Sequence, residues 1–476
     1  MKAKSDKPNI LIFVMDVQRA DNMSCYGYPK KTTPNIDKIA EEGTVFLNNV
    51  SPAEFTLPSH ACVFTGKYVS GHGVGARYQF RPKESFTLTE VLKSAGYRTI
   101  GFCGKEHKWA LYGIDDQRGF DEFKYVERPA QTSEEKDKGS LRTSQLFAEW
   151  VEEHEGETPF FMFVNCTEPH LPYWPPQPFR KRFLLDGVSD ERAYQVHNPN
   201  IWAYHVGRIK YTKEDWAILR SLYDGETATL DNRMGLMFNE LRKRDLLDST
   251  LLIITSDHGD VQGEKDPYID HVANIYEPTI HVPLICRYPP VFPAGLRVEH
   301  LVQTLDIFPT IMEMLGISNK DIWKHLQGYS LLSAITDEPK RTFAVAEYQS
   351  WGILFAYFLR KKVDPDFDWR DPYLWRYQKA YRVGHYKYIW ASDGKDELYD
   401  LSEDPTEQRN LVAEMPEKAS EMKRALEDFL FSIEKRDLGD MAAAHFYDEE
   451  IIRKLKDYGY YRQIFTPELG IEPGIF

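Results

Sequence analysis

The chain has 476 residues, with 42% hydrophobic and 28% charged positions and a formal net charge of −14. This is ordinary globular usage, long enough for a large core and for two or three units, or one large α/β domain with an appendage. The acidic balance argues against nucleic acid or an anionic membrane held by non-specific attraction, while leaving room for a local basic pocket that takes a small anion.

The first eight residues end in Lys7-Pro8, and the apolar run that follows is too short for a signal-peptide core. No stretch approaches the length of a membrane span. The expectation is a cytoplasmic protein. Residues 9–15 are almost continuously apolar and stop at Asp16. Such a run reads as a parallel strand covered on both faces. Similar runs recur at residues 99–102, 160–164 and 251–255, with helical patterns between them at 33–42 and 88–95. Alternating strands and helices predict a doubly wound, mostly parallel sheet with helices on both faces. Ligands of such sheets bind at the carboxyl ends of the strands. Asp16 and Asp257 both stand where a strand stops, so one crevice can collect them.

Beyond about residue 345 the pattern changes. Residues 380–390 alternate around Gly384-His385 and predict an antiparallel hairpin, and a helix is expected over 416–435. The predicted organisation is a catalytic α/β domain at 1–345, a smaller α+β subdomain with an antiparallel sheet at 346–436, and a Tyr-rich extension at 437–476. Cys25, Cys62, Cys103, Cys166 and Cys286 are odd in number, widely spaced and without a C-x-x-C pair. Buried free thiols are expected.

The chemistry concentrates in a few segments. Asp16 opens Asp16-Val17-Gln18-Arg19-Ala20-Asp21. Thr56 opens Thr56-Leu57-Pro58-Ser59-His60, and Thr65-Gly66-Lys67 follows. Pro58 suits the first turn of a helix, so the Thr56 hydroxyl would lie at a helix N-terminus, where orphan N–H groups favour anions. Gly104-Lys105-Glu106-His107 carries two cationic candidates at i and i+2, which point to one side of an extended segment. His170 follows the strand at 160–164. Thr255-Ser256-Asp257-His258-Gly259 ends the strand at 251–255, and the glycine lets backbone pass close to the site. Asp270-His271 lies downstream, and Arg77 is a candidate bidentate anion clamp.

Taken together these segments resemble the sulfatases of the alkaline phosphatase superfamily. Residues 397–411 are similar to the C-terminal signature of that family. The resemblance implies an alkaline-phosphatase-like fold and an ester hydrolase. It implies Asp16, Asp257 and His258, with Thr56, as metal ligands. It implies Thr56, Lys105, His107, His170 and His271 as catalytic residues, and Arg77 and His60 as substrate contacts. In the family the first signature position is Cys or Ser and becomes formylglycine; here it is Thr56, and the family's Arg is His60. Oxidising a secondary alcohol gives a ketone, so no formylglycine is expected and the hydroxyl itself is the nucleophile. Val17 stands where a second carboxylate is frequent, which shifts the divalent cation from calcium or magnesium toward zinc, manganese or iron. His271 neighbours the place of a family lysine, and it takes that role or helps hold a second metal.

Three functions are compatible with this pattern. The first is a metal-dependent hydrolase of phosphodiesters or phosphonate monoesters that uses Thr56. The second is a sulfuric ester hydrolase without formylglycine. The third is an inactive binding protein on the same fold. The expected partner is a small anionic ester, with no nucleic acid and no membrane, and a homo-oligomer is allowed.

Overall fold

The structure, a computed structural model, describes residues 7–75, 86–104, 118–127, 137–154, 158–336, 338–349, 359–368, 372–374 and 376–433. Two sheets organise it. The larger contains β1 (Asn9–Asp16), β2 (Thr44–Val50), β3 (Arg98–Gly104), β4 (Glu122–Val126), β5 (Phe160–Pro169), β6 (Thr250–Ser256), β7 (Leu284–Arg287) and β8 (Leu296–Gln303), in the order β4-β3-β5-β1-β6-β7-β2-β8. All its pairings are parallel except the two that β7 makes, with β6 and β2.

The apolar run at the start of the chain becomes the central strand because both its faces are covered. Ile10, Ile12 and Val14 pack into one core with Val63 and Phe64 of the Thr56–Thr65 helix and with Ile307 and Ile311. Leu11, Phe13 and Met15 pack into the opposite core with Ile36, Phe147, Trp150, Met234 and Phe238. A period-two strand between two apolar layers must be apolar at every position.

The smaller sheet is antiparallel, in the order β12-β11-β10-β9, with β9 (Ala344–Tyr348), β10 (Gln378–Val383), β11 (Tyr386–Ala391) and β12 (Glu397–Asp400). The expected hairpin is β10–β11, turning at Gly384, whose φ of 57° suits a residue without a side chain. The helix Pro416–Ser432 closes this unit. Buried charges join it to the larger sheet. Lys387 Nζ donates to Glu277 at 3.1 Å and pairs with Glu407 at 2.8 Å, while Arg382 donates to the other Glu277 oxygen at 3.0 Å. All five cysteines are free thiols, four of them buried. Among the described residues no helix is long and apolar enough to cross a membrane.

Candidate active site

Strands β5, β1 and β6 are neighbours and parallel, so their carboxyl ends share one edge. That edge receives His170 after β5, Asp16 at the end of β1, and Asp257 and His258 after β6. The β1–β5 register shifts between Met15 and Asp16. The next residue, Val17, has φ of 67°, a left-handed conformation that is costly for a β-branched side chain. The turn aims the Val17 N–H at Asp257 Oδ1, 3.1 Å away. The Val17 carbonyl accepts from the Tyr223 hydroxyl at 2.7 Å, which holds the bend. The Ser256 hydroxyl lies 2.5 Å from the Met15 carbonyl and 2.7 Å from the His258 carbonyl, and accepts the Gln18 N–H at 2.9 Å. These contacts join the ends of β1 and β6. Gly259 is required by space, because a Cβ there would lie 2.3 Å from the Pro278 carbonyl oxygen.

The helix Thr56–Thr65 begins at the expected residue and is buried along its whole length. Ser51 and Ser59 both donate to the Asp257 carbonyl, at 2.5 and 2.8 Å. They dock the helix start onto the end of β6. Thr56 Oγ1 consequently lies 3.1 Å from His258 Nε2. His258 Nδ1 faces the Gly259 carbonyl at 3.1 Å, which assigns the ring proton to Nδ1 and the lone pair to Nε2.

The ligating atoms of Asp16, Asp257 and His258 lie within 4.8 Å of one another, and all three residues are buried. Asp257 Oδ1 accepts the N–H groups of Val17 and His258, but Oδ2 accepts no hydrogen bond among the described residues. Burial raises the Asp257 carboxyl. His258, His60 and the two N–H groups outweigh burial and hold it at about 2. Burial lowers His258 to about 4 despite Asp257. A buried carboxylate with an unused oxygen, facing a neutral imidazole lone pair, is a fitting donor set for a divalent cation.

A second group, His258, Asp260 and His271, meets the same distance limit. It shares His258, whose Nε2 already faces Asp16 at 4.0 Å and Asp257 at 3.5 Å. The remaining two residues partner each other. His271 Nδ1 lies 2.8 Å from Asp260 Oδ1 and also meets Asp270, while Tyr173 donates to Asp260 Oδ2 at 2.8 Å. Burial lowers His271, but Asp270 and Asp260 raise it well above the usual histidine range. Burial and the Asp270 charge push Asp260 up to about 8, while His271 holds Asp270 far below the usual carboxylate range. The chain turns left-handed at Asp270 (φ 64°) and again at Ala273 (φ 62°) to bring this loop in.

The His271 ring stands 4.2 Å from the His258 ring and 5.6 Å from the His170 ring, centroid to centroid. His170 is half-buried, with Nδ1 2.9 Å from the Leu171 carbonyl oxygen. The structure thus brings Asp16, Thr56, Asp257, His258, His271 and His170 together. His60 sits one helical turn below Thr56, edge-on to Phe163 at 5.5 Å. Arg77, Lys105 and His107 lie outside the described residues.

Four neighbours escaped the sequence reading. Asp260 and Asp270 hold His271, Ser51 helps place the helix, and Glu54 lies two residues before Thr56. Glu54 is 4% exposed, and burial pushes its carboxyl up to about 8. The sequence signal for Asp260 was its place beside Asp257-His258; Glu54 had none.

The family model described as Sulfatase matches residues 8–317, and the model described as N-sulphoglucosamine sulphohydrolase, C-terminal, matches residues 267–436. An ulvan-active sulfatase of Formosa agariphila is 26% identical over 429 residues, covering 85% of this chain and 77% of that protein. An N-acetylglucosamine-6-O-sulfatase of Bacteroides thetaiotaomicron is 24% identical, covering 90% of this chain and 87% of that protein. The solved phosphonate monoester hydrolase of Agrobacterium radiobacter superposes with a TM-score of 0.72 at 21% identity, covering 89% of this chain and 95% of that one, a likeness of fold. With the Sulfatase model matching over residues 8–317, this chain belongs to the sulfatase family of ester hydrolases, on an alkaline-phosphatase-like fold.

Proposed function

We propose that the chain hydrolyses phosphorus esters, either phosphodiesters or phosphonate monoesters, with Thr56 as nucleophile. The observation that carries this reading is the Thr56 hydroxyl, 3.1 Å from His258 Nε2 at the start of a buried helix. A secondary alcohol cannot give the formylglycine aldehyde. Asp16, Asp257 and His258 would hold one divalent cation, of zinc, manganese or iron type, which when bound supplies Lewis acidity and lowers the pKa of a nearby hydroxyl. The helix N-terminus favours negative charge in front of Thr56.

In this reading Thr56 Oγ1, its proton lost to solvent, attacks phosphorus, a new O–P bond forms, and the bond to the departing alcohol oxygen breaks. His271, gripped at Nδ1 by Asp260 and Asp270, offers Nε2 to that oxygen, and His170 stands beside it. Either imidazole can deliver the proton. Water then cleaves the phosphothreonine and restores the hydroxyl. Lys105, His107, Arg77 and His60 enter as anion contacts on family resemblance. The partner is a small anionic ester.

A second reading, hydrolysis of sulfuric esters, is favoured by the names of the sequence relatives, which are sulfatases. Against it stands the chemistry of Thr56. A formylglycine hydrate expels sulfate by collapsing to the aldehyde, and a threonine sulfate has no such exit.

The test is a comparison of purified protein, loaded with manganese or zinc, on bis-nitrophenyl phosphate, a nitrophenyl phenylphosphonate, nitrophenyl phosphate and nitrophenyl sulfate. The phosphorus diester or phosphonate is expected to lead. Sulfate turnover above every phosphorus ester would replace the first reading by the second.

A further inference from the structure

His170 and His271 come from distant parts of the chain, yet their rings stand 5.6 Å apart, centroid to centroid. His271 belongs to a compact unit. The Val261 and Asp270 backbones bridge, N–H to carbonyl in both directions, at 3.2 and 2.9 Å, so Asp260, Asp270 and His271 ride on one piece of backbone. Within it the carboxylates of Asp260 and Asp270 share His271 Nδ1, and Asp270 also accepts the His271 backbone N–H at 2.7 Å. These contacts orient the ring inside the unit. They do not set where the unit stands relative to His170.

His170 belongs to the segment that follows β5, and buried charge pins that segment at both ends. Lys138 Nζ donates to the His170 carbonyl at 2.5 Å and pairs with Glu226 at 2.9 Å, and Glu226 accepts the Trp174 N–H at 2.7 Å. Between these anchors lies Tyr173, 2% exposed, with its ring edge-on to Tyr223 at 5.4 Å. Its hydroxyl donates to Asp260 Oδ2 at 2.8 Å and accepts the Gln262 amide at 3.4 Å. A phenol has one proton to give, and Gln262 occupies the other side of the oxygen, so that proton points at Asp260. Asp260 passes the constraint on through its other oxygen to His271 Nδ1, 2.8 Å away. All three groups are buried, where a hydrogen bond is stronger than in water.

We infer that Tyr173 is a positioning residue for the proposed reaction: its hydroxyl, through Asp260, sets His271 against His170 so that one departing oxygen meets both imidazoles. It acts through Asp260 and not on the ester. This assignment rests on the proposed ester hydrolysis and deepens it.

The experiment is a double-mutant cycle on the zinc-loaded protein, read on methyl phenylphosphonate, whose leaving oxygen needs a proton, and on nitrophenyl phenylphosphonate, whose leaving oxygen does not. Tyr173→Phe removes one oxygen and keeps the ring against Tyr223. It should lower kcat on the methyl ester by about tenfold, as the loss of one buried hydrogen bond would, with KM within about twofold. The loss on the nitrophenyl ester should stay below about threefold. Added to His271→Ala, Tyr173→Phe should cost less than about twofold more, because the group it positions is gone. A loss equal on both esters, or one that adds in full to His271→Ala, overturns the assignment. Proton spectra give a reading without turnover. The zinc-loaded wild type should show low-field lines from the His271 Nδ1–H and the Tyr173 hydroxyl, and Asp260→Asn should shift both. A shift of only one line overturns the assignment even where Tyr173→Phe does not fold. If no phosphorus ester turns over, the proposed reaction falls, and the two lines alone decide Tyr173.

Discussion

Thr56 Oγ1 and His258 Nε2, 202 residues apart in the chain, lie 3.1 Å from each other. The contact depends on two hydrogen bonds to one backbone oxygen, from Ser51 and Ser59 to the Asp257 carbonyl. The start of a helix and the end of a strand are thereby held within hydrogen-bond distance of each other.

Thr56→Ala should lower kcat by about 1000-fold or more, because the attacking atom is gone, while Thr56→Ser keeps an alcohol and should stay within about tenfold. Intact mass spectrometry should find residue 56 unmodified in the wild type. An unchanged kcat in Thr56→Ala would remove Thr56 from the chemistry.

Chelation should abolish turnover and lower the melting temperature. A cation at about 1000 times its Kd stabilises by about 4 kcal/mol, which for a chain of this size is several degrees. Asp257→Asn should bind less metal and lose the response to chelator. Elemental analysis of the loaded protein should give one cation per chain, since a second group would have to borrow His258 from the first.

His271→Ala should slow esters with poor leaving groups by about 100-fold and activated nitrophenyl esters much less, because only the former need a proton delivered. Asp260→Asn should give a smaller effect of the same pattern. His271→Lys, which restores a cation, should recover part of the loss. Equal losses on both ester types would make the residue structural.

Glu168 provides a pH test at a carboxyl that is not among the converging ligand atoms. Burial and the Asp137 charge raise its carboxyl to about 7 from 4.5, its Oε1 accepts from the Ser140 hydroxyl at 2.6 Å, and its Oε2 has no hydrogen bond among the described residues. The folded pKa lies above the unfolded one, so between them the unfolded chain ionises while the folded chain keeps its proton. Stability should fall as pH rises from about 4.5 to about 7, by at most about 3 kcal/mol from this group, and level off above. Urea midpoints across that range should show the slope, and Glu168→Gln should flatten it.

Part of this architecture was legible in the chain. The run at residues 9–15 had to be a doubly covered strand, and it is β1, with Asp16 as its last residue. The hairpin at Gly384-His385 was equally plain. The helix Lys213–Lys243 was not read. Its buried positions include Asp224, Glu226, Thr227, Thr229 and Asp231, so polar residues interrupt the apolar stripe that would have announced it. Those groups are matched by distant partners, as when Asp231 accepts the Ile36 N–H at 2.8 Å, and a local pattern cannot show such pairs.

The same division holds at the site. The donor types, the strand-end placement of Asp16 and Asp257, and the secondary alcohol at position 56 could be read from the chain, because they follow from side-chain chemistry and local periodicity. That Asp260 and Asp270 grip His271, that Ser51 and Ser59 seat the Thr56 helix, and that Glu54 is buried emerged from the folded chain. Those facts arise from strand order and loop closure over long separations, where the contacting groups share no pattern in the chain.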